Sequence, residues 1–245
     1  MGGKTKFKRR HSLAPLKNQA FLPVYFTPYS NPYFGGFGST TFRLSDYISL
    51  ALLLCFAEST FKKMKYLLTG EETERLKFRP LELEDFDSWL GLFKAKDIAK
   101  NLDLDPKLSD SELCQKWFNK VFHRYENDLG GMNVLIDKKT NQFIGQCGLL
   151  IQNIENVERM EIGYSILPQF WNQGFASESA SKCKDFAFEN KFANSLISMV
   201  HIENLSSEKV ALKNGMTFEK KIDSFNIFRI DKENWVQPSS GSYKT

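Results

Sequence analysis

The chain has 245 residues, 42% of them apolar, 25% charged and 14% aromatic, with a formal net charge of +4. That is enough for one large domain or two small ones with a real core, and it excludes a disordered chain, a coiled coil and a disulfide-stapled miniature. The charge is uneven: residues 1–63 hold nine Lys and Arg against only Asp46 and Glu58, while residues 64–245 hold 24 Lys and Arg against 27 Asp and Glu. A basic leader thus precedes a mildly acidic body, and the basic balance says little about nucleic-acid binding by that body.

Residues 1–45 contain no acid and carry Pro23, Pro28, Pro32, Gly35, Gly36 and Gly38 among aromatics without a steady period. Such a stretch reads as poorly ordered. Residues 48–57 are the most apolar window. Ten residues of helix rise only about 15 Å, half of a bilayer core, so no membrane span is expected. The leader fits an organelle-targeting segment, a membrane-surface or nucleic-acid arm, or a start-site artefact with the natural chain beginning at Met64. The last is preferred, because every pattern below begins just after Met64.

The body starts with a short strand over Arg75–Leu81, ended by Pro80. Residues 84–97 space Phe86, Trp89, Leu90 and Phe93 as one helix. Ser109 with Glu112 forms a capping box that opens a second helix, with Leu113, Trp117 and Val121 inward and Gly130–Gly131 as its stop. Residues 132–137, 142–152 and 157–167 read as three strands, joined by turns at 138–141 and 153–156. A helix follows over 173–190 with Ala176, Ala180, Cys183, Phe186 and Ala187 inward, then a strand over 194–201 and a short helix over 206–214 closed by Gly215. The strands 217–221 and 225–231 complete the order. The expected fold is α/β (α+β): a mixed, mostly antiparallel central sheet of about seven strands with four main helices. Residues 64–235 form the domain and 236–245 a tail.

Four cysteines (Cys55, Cys114, Cys147, Cys183) and three histidines (His11, His123, His201) lie far apart without a CxxC pair. Neither a metal site nor a disulfide framework is expected, and a reducing compartment, the cytoplasm, is. The run Met160–Ala180 carries the chemistry. A strand ends at Leu167, Pro168 breaks it, and Gly174 stands at a helix start, whose free amides and dipole suit an anion such as pyrophosphate.

The sequence resembles the GNAT superfamily of acyl-CoA-dependent N-acyltransferases, closest to the Rim-type ribosomal-protein N-terminal acetyltransferases. Four stretches carry the resemblance: Arg75-Leu76-Lys77-Phe78-Arg79-Pro80-Leu81; Ile144-Gly145-Gln146-Cys147-Gly148-Leu149; Glu161 to Ile166 leading into Trp171-Asn172-Gln173-Gly174-Phe175-Ala176-Ser177-Glu178; and Asn204-Leu205-Ser206-Ser207 through Lys213-Asn214-Gly215-Met216. Together they cover about residues 73–231, in family order. The family's phosphate loop has Arg or Gln where this chain has Trp171. The resemblance implies acetyl-CoA as co-substrate, with amides of Gln173, Gly174, Phe175, Ala176 and Ser177 on its pyrophosphate. It also implies that the 161–167 strand splays from the 194–201 strand. Backbone groups of Ile166 and Leu167 would then meet the pantetheine arm, with Asn204 and Ser207 nearby.

The acetyl group would pass by direct attack to a primary amine: a protein N-terminus, or in a second reading a polyamine or antibiotic. A non-catalytic acyl-CoA sensor is the rival from another class. Glu161 is the candidate base, acting through water and sharing a strand side with Gly163 and Ser165, and Ser165 and Asn204 complete the catalytic candidates. Many relatives have an acidic Tyr seven residues after the motif Asn, and here that position is Ala211. His201 reads as a strand-end residue, and Cys147 and Cys183 as core. The loop 96–108 should wall the acceptor pocket, with Asp97, Asp103 and Asp105 available to a cationic amine. No stable nucleic-acid partner is expected, and the chain reads as a monomer or homodimer.

Overall fold

The structure, a computed structural model, describes residues 64–237. The readings made for residues 1–63 and for 238–245 lie outside them.

Seven strands form one sheet: β1 (Leu76–Arg79), β2 (Gly130–Asp137), β3 (Phe143–Ile154), β4 (Val157–Ile166), β5 (Ser195–His201), β6 (Thr217–Ile222) and β7 (Phe225–Asp231), in the spatial order β1-β2-β3-β4-β5-β7-β6. Every pairing is antiparallel except β4 with β5. Five helices are described: α1 (Phe86–Phe93), α2 (Ile98–Asn101), α3 (Asp110–Glu126), α4 (Phe175–Glu189) and α5 (Leu205–Lys213). The expected fold class stands, with four helices of substance and one single turn. No helix among the described residues is long and apolar enough to cross a membrane.

The sheet has apolar side chains on both faces, because strand residues alternate sides. One face carries Leu76, Leu135, Cys147, Leu149, Ile162 and Leu196 against Ala180, Cys183, Ala187 and Phe188 of α4. The other carries Met132 and Val134 against Trp89 and Leu92 of α1 and Leu113, Trp117, Phe118 and Val121 of α3. Leu149 and Leu196 are fully buried, as are Trp89 and Leu92.

The capping box at Ser109 is present: its Oγ accepts from Glu112 N at 3.4 Å, and Glu112 Oε2 accepts from Ser109 N at 2.9 Å. The hairpin between β3 and β4 turns on Glu155 and Asn156, at φ 51° and 64°, the left-handed pair that matches strand twist in a two-residue loop.

Two expectations are corrected. The helix expected over 84–97 is a 3-10 turn at Leu83–Asp85, then α1, then the non-helical residues 94–97, with the separate turn α2 starting only at Ile98. Asp97 stands at φ 61°, a conformation no α-helix continues through. Asp85 takes Arg79 in a two-pronged pair at 2.7 and 2.6 Å, tying this corner to β1. Gly130 and Gly131 do not stop α3, which ends at Glu126; they open β2. A Cβ on Gly130 would lie 2.0 Å from Leu149 O, so glycine here serves close strand approach. At the far end, the Trp235 indole N–H donates to Asp185 Oδ1 at 2.7 Å, and its ring packs on Phe188.

Candidate active site

The parallel pair places the site. β4 runs into α4 and β5 runs into α5, so both strand ends and both helix starts meet at one end of the strands, in the middle of the sheet. β4 and β5 pair only at Met160–Leu196 and Glu161–Ile197. One step on, Ser198 Oγ donates to Ile162 O at 2.8 Å, a side chain standing in for a ladder bond. Beyond it the strands part. The antiparallel ladder with β3 dictates which groups face the gap. Leu167 N donates to Ile144 O at 3.0 Å, so by alternation the peptide groups of Tyr164 and Ile166 point away from β3. Trp171 Nε1 caps Ile166 O at 2.6 Å.

The cleft around this gap has a volume of about 810 Å³. Its floor at one end is the start of α4. Gly174 is the N-cap at φ 84°, and the first intrahelical bond runs from Glu178 N to Gly174 O at 3.0 Å. The N–H groups of Phe175, Ala176 and Ser177 precede that bond and have no intrahelical acceptor. Gly174, Phe175, Ala176 and Ser177 all line the cleft. An added Cβ on Gly174 would meet only Arg75 Nη2, at 3.4 Å, so the positive φ rather than crowding is what selects glycine here.

Glu161 lies where the strands part. It is 7% exposed and lines the cleft. Its Oε2 accepts from Gln152 Nε2 at 2.5 Å and its Oε1 from Met199 N at 3.3 Å. Burial pushes its carboxyl above the usual carboxylate range, against the pull of the Gln152 and Met199 donors and of Arg124 and Lys120. Arg124 Nη2 donates to Gln152 Oε1 at 3.0 Å, which makes a line from guanidinium to amide to carboxylate. Ser165 lines the cleft further along β4. Asn204 caps α5, its Oδ1 accepting from Ser207 N at 3.1 Å. Ser207 O accepts from Tyr164 OH at 2.7 Å, which locks the start of α5 to β4.

These features describe a strand gap, a bare helix start and a buried carboxylate at one end of the parallel pair. The sequence pattern of an acetyltransferase (GNAT) domain matches residues 75–217. The chain belongs to the GNAT acetyltransferase family. It is 33% identical over 158 residues to the Bacillus subtilis (strain 168) protein YkkB, covering 63% of this chain and 88% of YkkB. In fold it is similar to RimL, a ribosomal L7/L12 alpha-N-protein acetyltransferase crystallised with coenzyme A (TM-score 0.53, 17% identity, 67% of this chain and 97% of that one). It is also similar to the spermidine N-acetyltransferase of Vibrio cholerae, crystallised with CoA and spermine (TM-score 0.50, 22% identity, 65% and 96%).

Against this GNAT frame, most residues singled out from sequence come together. Glu161, Ser165, Ile166, Gly174, Phe175, Ala176, Ser177, Asn204 and Ser207 all border the one cleft. Two do not. Leu167 donates to Ile144 O and accepts from Phe170 N at 2.9 Å, so both its backbone groups are engaged and the gap-facing groups are those of Tyr164 and Ile166. Gln173 stands outside the cleft; its backbone carbonyl accepts from Arg75 and its side-chain Nε2 donates to Gln169 O.

Ala211 is buried, and no hydroxyl occupies the position of the usual acid. His201 borders the cleft, with Nδ1 accepting from Glu203 N at 3.2 Å and its ring edge-on to Phe225. Cys147 and Cys183 are buried beside each other in the core. Among the described residues no three His, Cys, Asp or Glu side chains gather as metal ligands.

Of the loop expected to wall the acceptor side, Lys96, Asp97, Ile98, Asn101, Leu102 and Asp103 reach the cleft and Asp105 does not. Lys100 pairs with Glu203 across the mouth. Sequence reading missed Arg124 and Gln152. Spacing puts Arg124 on the Trp117–Val121 stripe of α3 and Gln152 on the Leu150 face of β3, but it marks neither as a partner of Glu161.

Proposed function

We propose that this chain moves the acetyl group of acetyl-CoA to a primary amine by direct attack, and that the acceptor is a protein N-terminal amine. The observation that carries the reading is the coincidence of the β4–β5 gap with the open amide cluster of Phe175, Ala176 and Ser177. That pair fits the group: amides at a helix start bind a diphosphate, and the gap-facing peptide groups of Tyr164 with the Ile166 N–H bind an amide-bearing arm, the Ile166 carbonyl being taken by Trp171. When bound, acetyl-CoA supplies a thioester carbonyl as the acyl donor.

The chain's own residues do the rest. Glu161, through a water molecule, takes the proton that the attacking amine loses, and burial raises its basicity in the direction that work needs. Gln152 and Met199 N hold the carboxylate in place. As the new C–N bond forms the C–S bond breaks, and a thiolate of pKa about 8.5 leaves without a strong acid, which suits the buried alanine at position 211. Water, with the Ser207 hydroxyl as a relay, is the proton source for it once it has left, and Asn204 caps the start of α5 beside it. The likeness to RimL supports a protein N-terminus as acceptor. A polyamine is the second reading, favoured by Asp97 and Asp103 on the cleft wall and by the likeness to the spermidine enzyme. Three buried free thiols support a reducing compartment, the cytoplasm.

The test incubates the full chain with acetyl-CoA and a panel of N-terminal peptides, polyamines and aminoglycosides, and follows free-thiol release. Turnover on peptides supports the reading. Turnover on polyamines alone moves the acceptor to the second class. Tight CoA binding with no turnover on any amine makes the chain a sensor.

A further inference from the structure

The phosphate loop of this chain has no cation of its own, since Trp171 occupies the usual place and turns its indole N–H to Ile166 O. A guanidinium reaches the loop from elsewhere. Arg75, about a hundred residues earlier and just before β1, lies against the start of α4. Its Nη1 donates to Gln173 O at 3.0 Å and its Nε to Glu178 Oε2 at 2.6 Å. Its Nη2 pairs with the same Glu178 oxygen at 2.6 Å, and its backbone N–H donates to Glu178 Oε1 at 3.0 Å. Thr73 Oγ1 donates to that oxygen too, at 2.5 Å. The guanidinium carbon sits 4.3 Å over the Phe175 ring. Arg75 does not line the cleft.

We propose that Arg75 is a positioning residue for the cofactor: it ties back the one carbonyl and the one carboxylate that would oppose a diphosphate at the start of α4. The inference rests on the acetyl-CoA reading above. The physical need is plain. Gln173 O is a partial negative charge one residue before the anion seat. Glu178 is a full one in the first turn, where it competes with any ligand for the same helix dipole. Arg75 holds the first by a hydrogen bond and neutralises the second by a charge-assisted pair of bonds. The stacked ring of Phe175 fixes the guanidinium plane, which a lysine cannot reproduce. The amides of Phe175, Ala176 and Ser177 are thereby left unopposed by these two groups at the start of α4.

The experiment measures dissociation constants of CoA and of pantetheine, which lacks the phosphates, by calorimetry on the full chain. The variants are Arg75→Gln, Arg75→Lys, Glu178→Gln and the double Arg75→Gln/Glu178→Gln. Arg75→Gln is expected to weaken CoA at least tenfold and to leave pantetheine within twofold. Arg75→Lys is expected to fall between, and the double variant to regain most of the CoA affinity because the opposing carboxylate is gone. An unchanged CoA constant in a folded Arg75→Gln chain overturns the proposal, as does an equal loss for both ligands, which is general loosening. Should Arg75→Gln fail to fold, Arg75→Lys alone decides by the same ratio of CoA to pantetheine. A wild-type chain that binds no CoA overturns the acetyl-CoA reading itself, and this proposal with it.

Discussion

At the scale of single residues, two positions carry the proposed chemistry and each predicts a measurement. Glu161 is buried and its carboxyl is held above the usual carboxylate range, chiefly by that burial. A base acts when deprotonated, so activity should rise with pH through this raised value rather than through that of an exposed glutamate. Glu161→Gln should remove that limb, leave only the titration of the acceptor amine, and lower kcat about 100-fold with CoA affinity intact. A pH profile of kcat/KM equal to wild type would dismiss Glu161 as the base. At Gly174, φ is 84°, so Gly174→Glu strains the backbone and adds a carboxylate beside the helix start that would seat the anion. CoA binding should be lost while the unfolding midpoint falls only modestly. Glu161 and Gly174 were legible because a motif marks them. Gln152 and Arg124 were not named, because what selects them is contact across strand and helix.

At the scale of elements, local chemistry read from sequence and packing chemistry read from structure divide cleanly. The capping box of α3 is a local device within four residues, and it formed as expected. Ser109→Ala should cost about 1 kcal/mol in urea unfolding, since one helix-start donor loses its acceptor. The break between α1 and α2 and the start of β2 at Gly130 went unread. The break falls at Asp97, whose left-handed φ of 61° no spacing of apolar residues announces, and the strand start depends on a partner distant in the chain, Leu149 beneath Gly130. Gly148 makes the same point. A Cβ there would lie 2.0 Å from Gly131 O, so Gly148→Ala should force β2 and β3 apart and cost about 1–3 kcal/mol, seen as a lower unfolding midpoint with unchanged helix content.

At the scale of the whole described domain, one sheet divides two apolar layers and one parallel pair interrupts its antiparallel order. Leu92 lies in the layer under α1 and α3, Leu196 in the layer under α4, and both are fully buried. Leu92→Ala and Leu196→Ala should each cost about 2–5 kcal/mol. Their effects should add within about 0.5 kcal/mol, because the sheet separates them and they share no partner. A coupling well above that in a double-mutant cycle would mean that the layers are not independent. The site sits at the β4–β5 pair for a topological reason. A parallel neighbour needs a crossover helix, and the crossover brings two strand ends and two helix starts to the same end of the pair.

From sequence alone came the periods of the strands and helices, the loop at Gly174, the family and the carboxylate at Glu161. These are legible because they follow from neighbours within a few residues, or from motifs whose spacing is kept along the chain. Tertiary structure alone decided that Tyr164 and Ile166, and not Leu167, face the gap, that Arg124 and Gln152 hold the carboxylate, and that Arg75 braces a loop about a hundred residues away. Each of these is a contact between groups far apart in the chain, and its existence depends on strand register and helix docking, which no local pattern encodes.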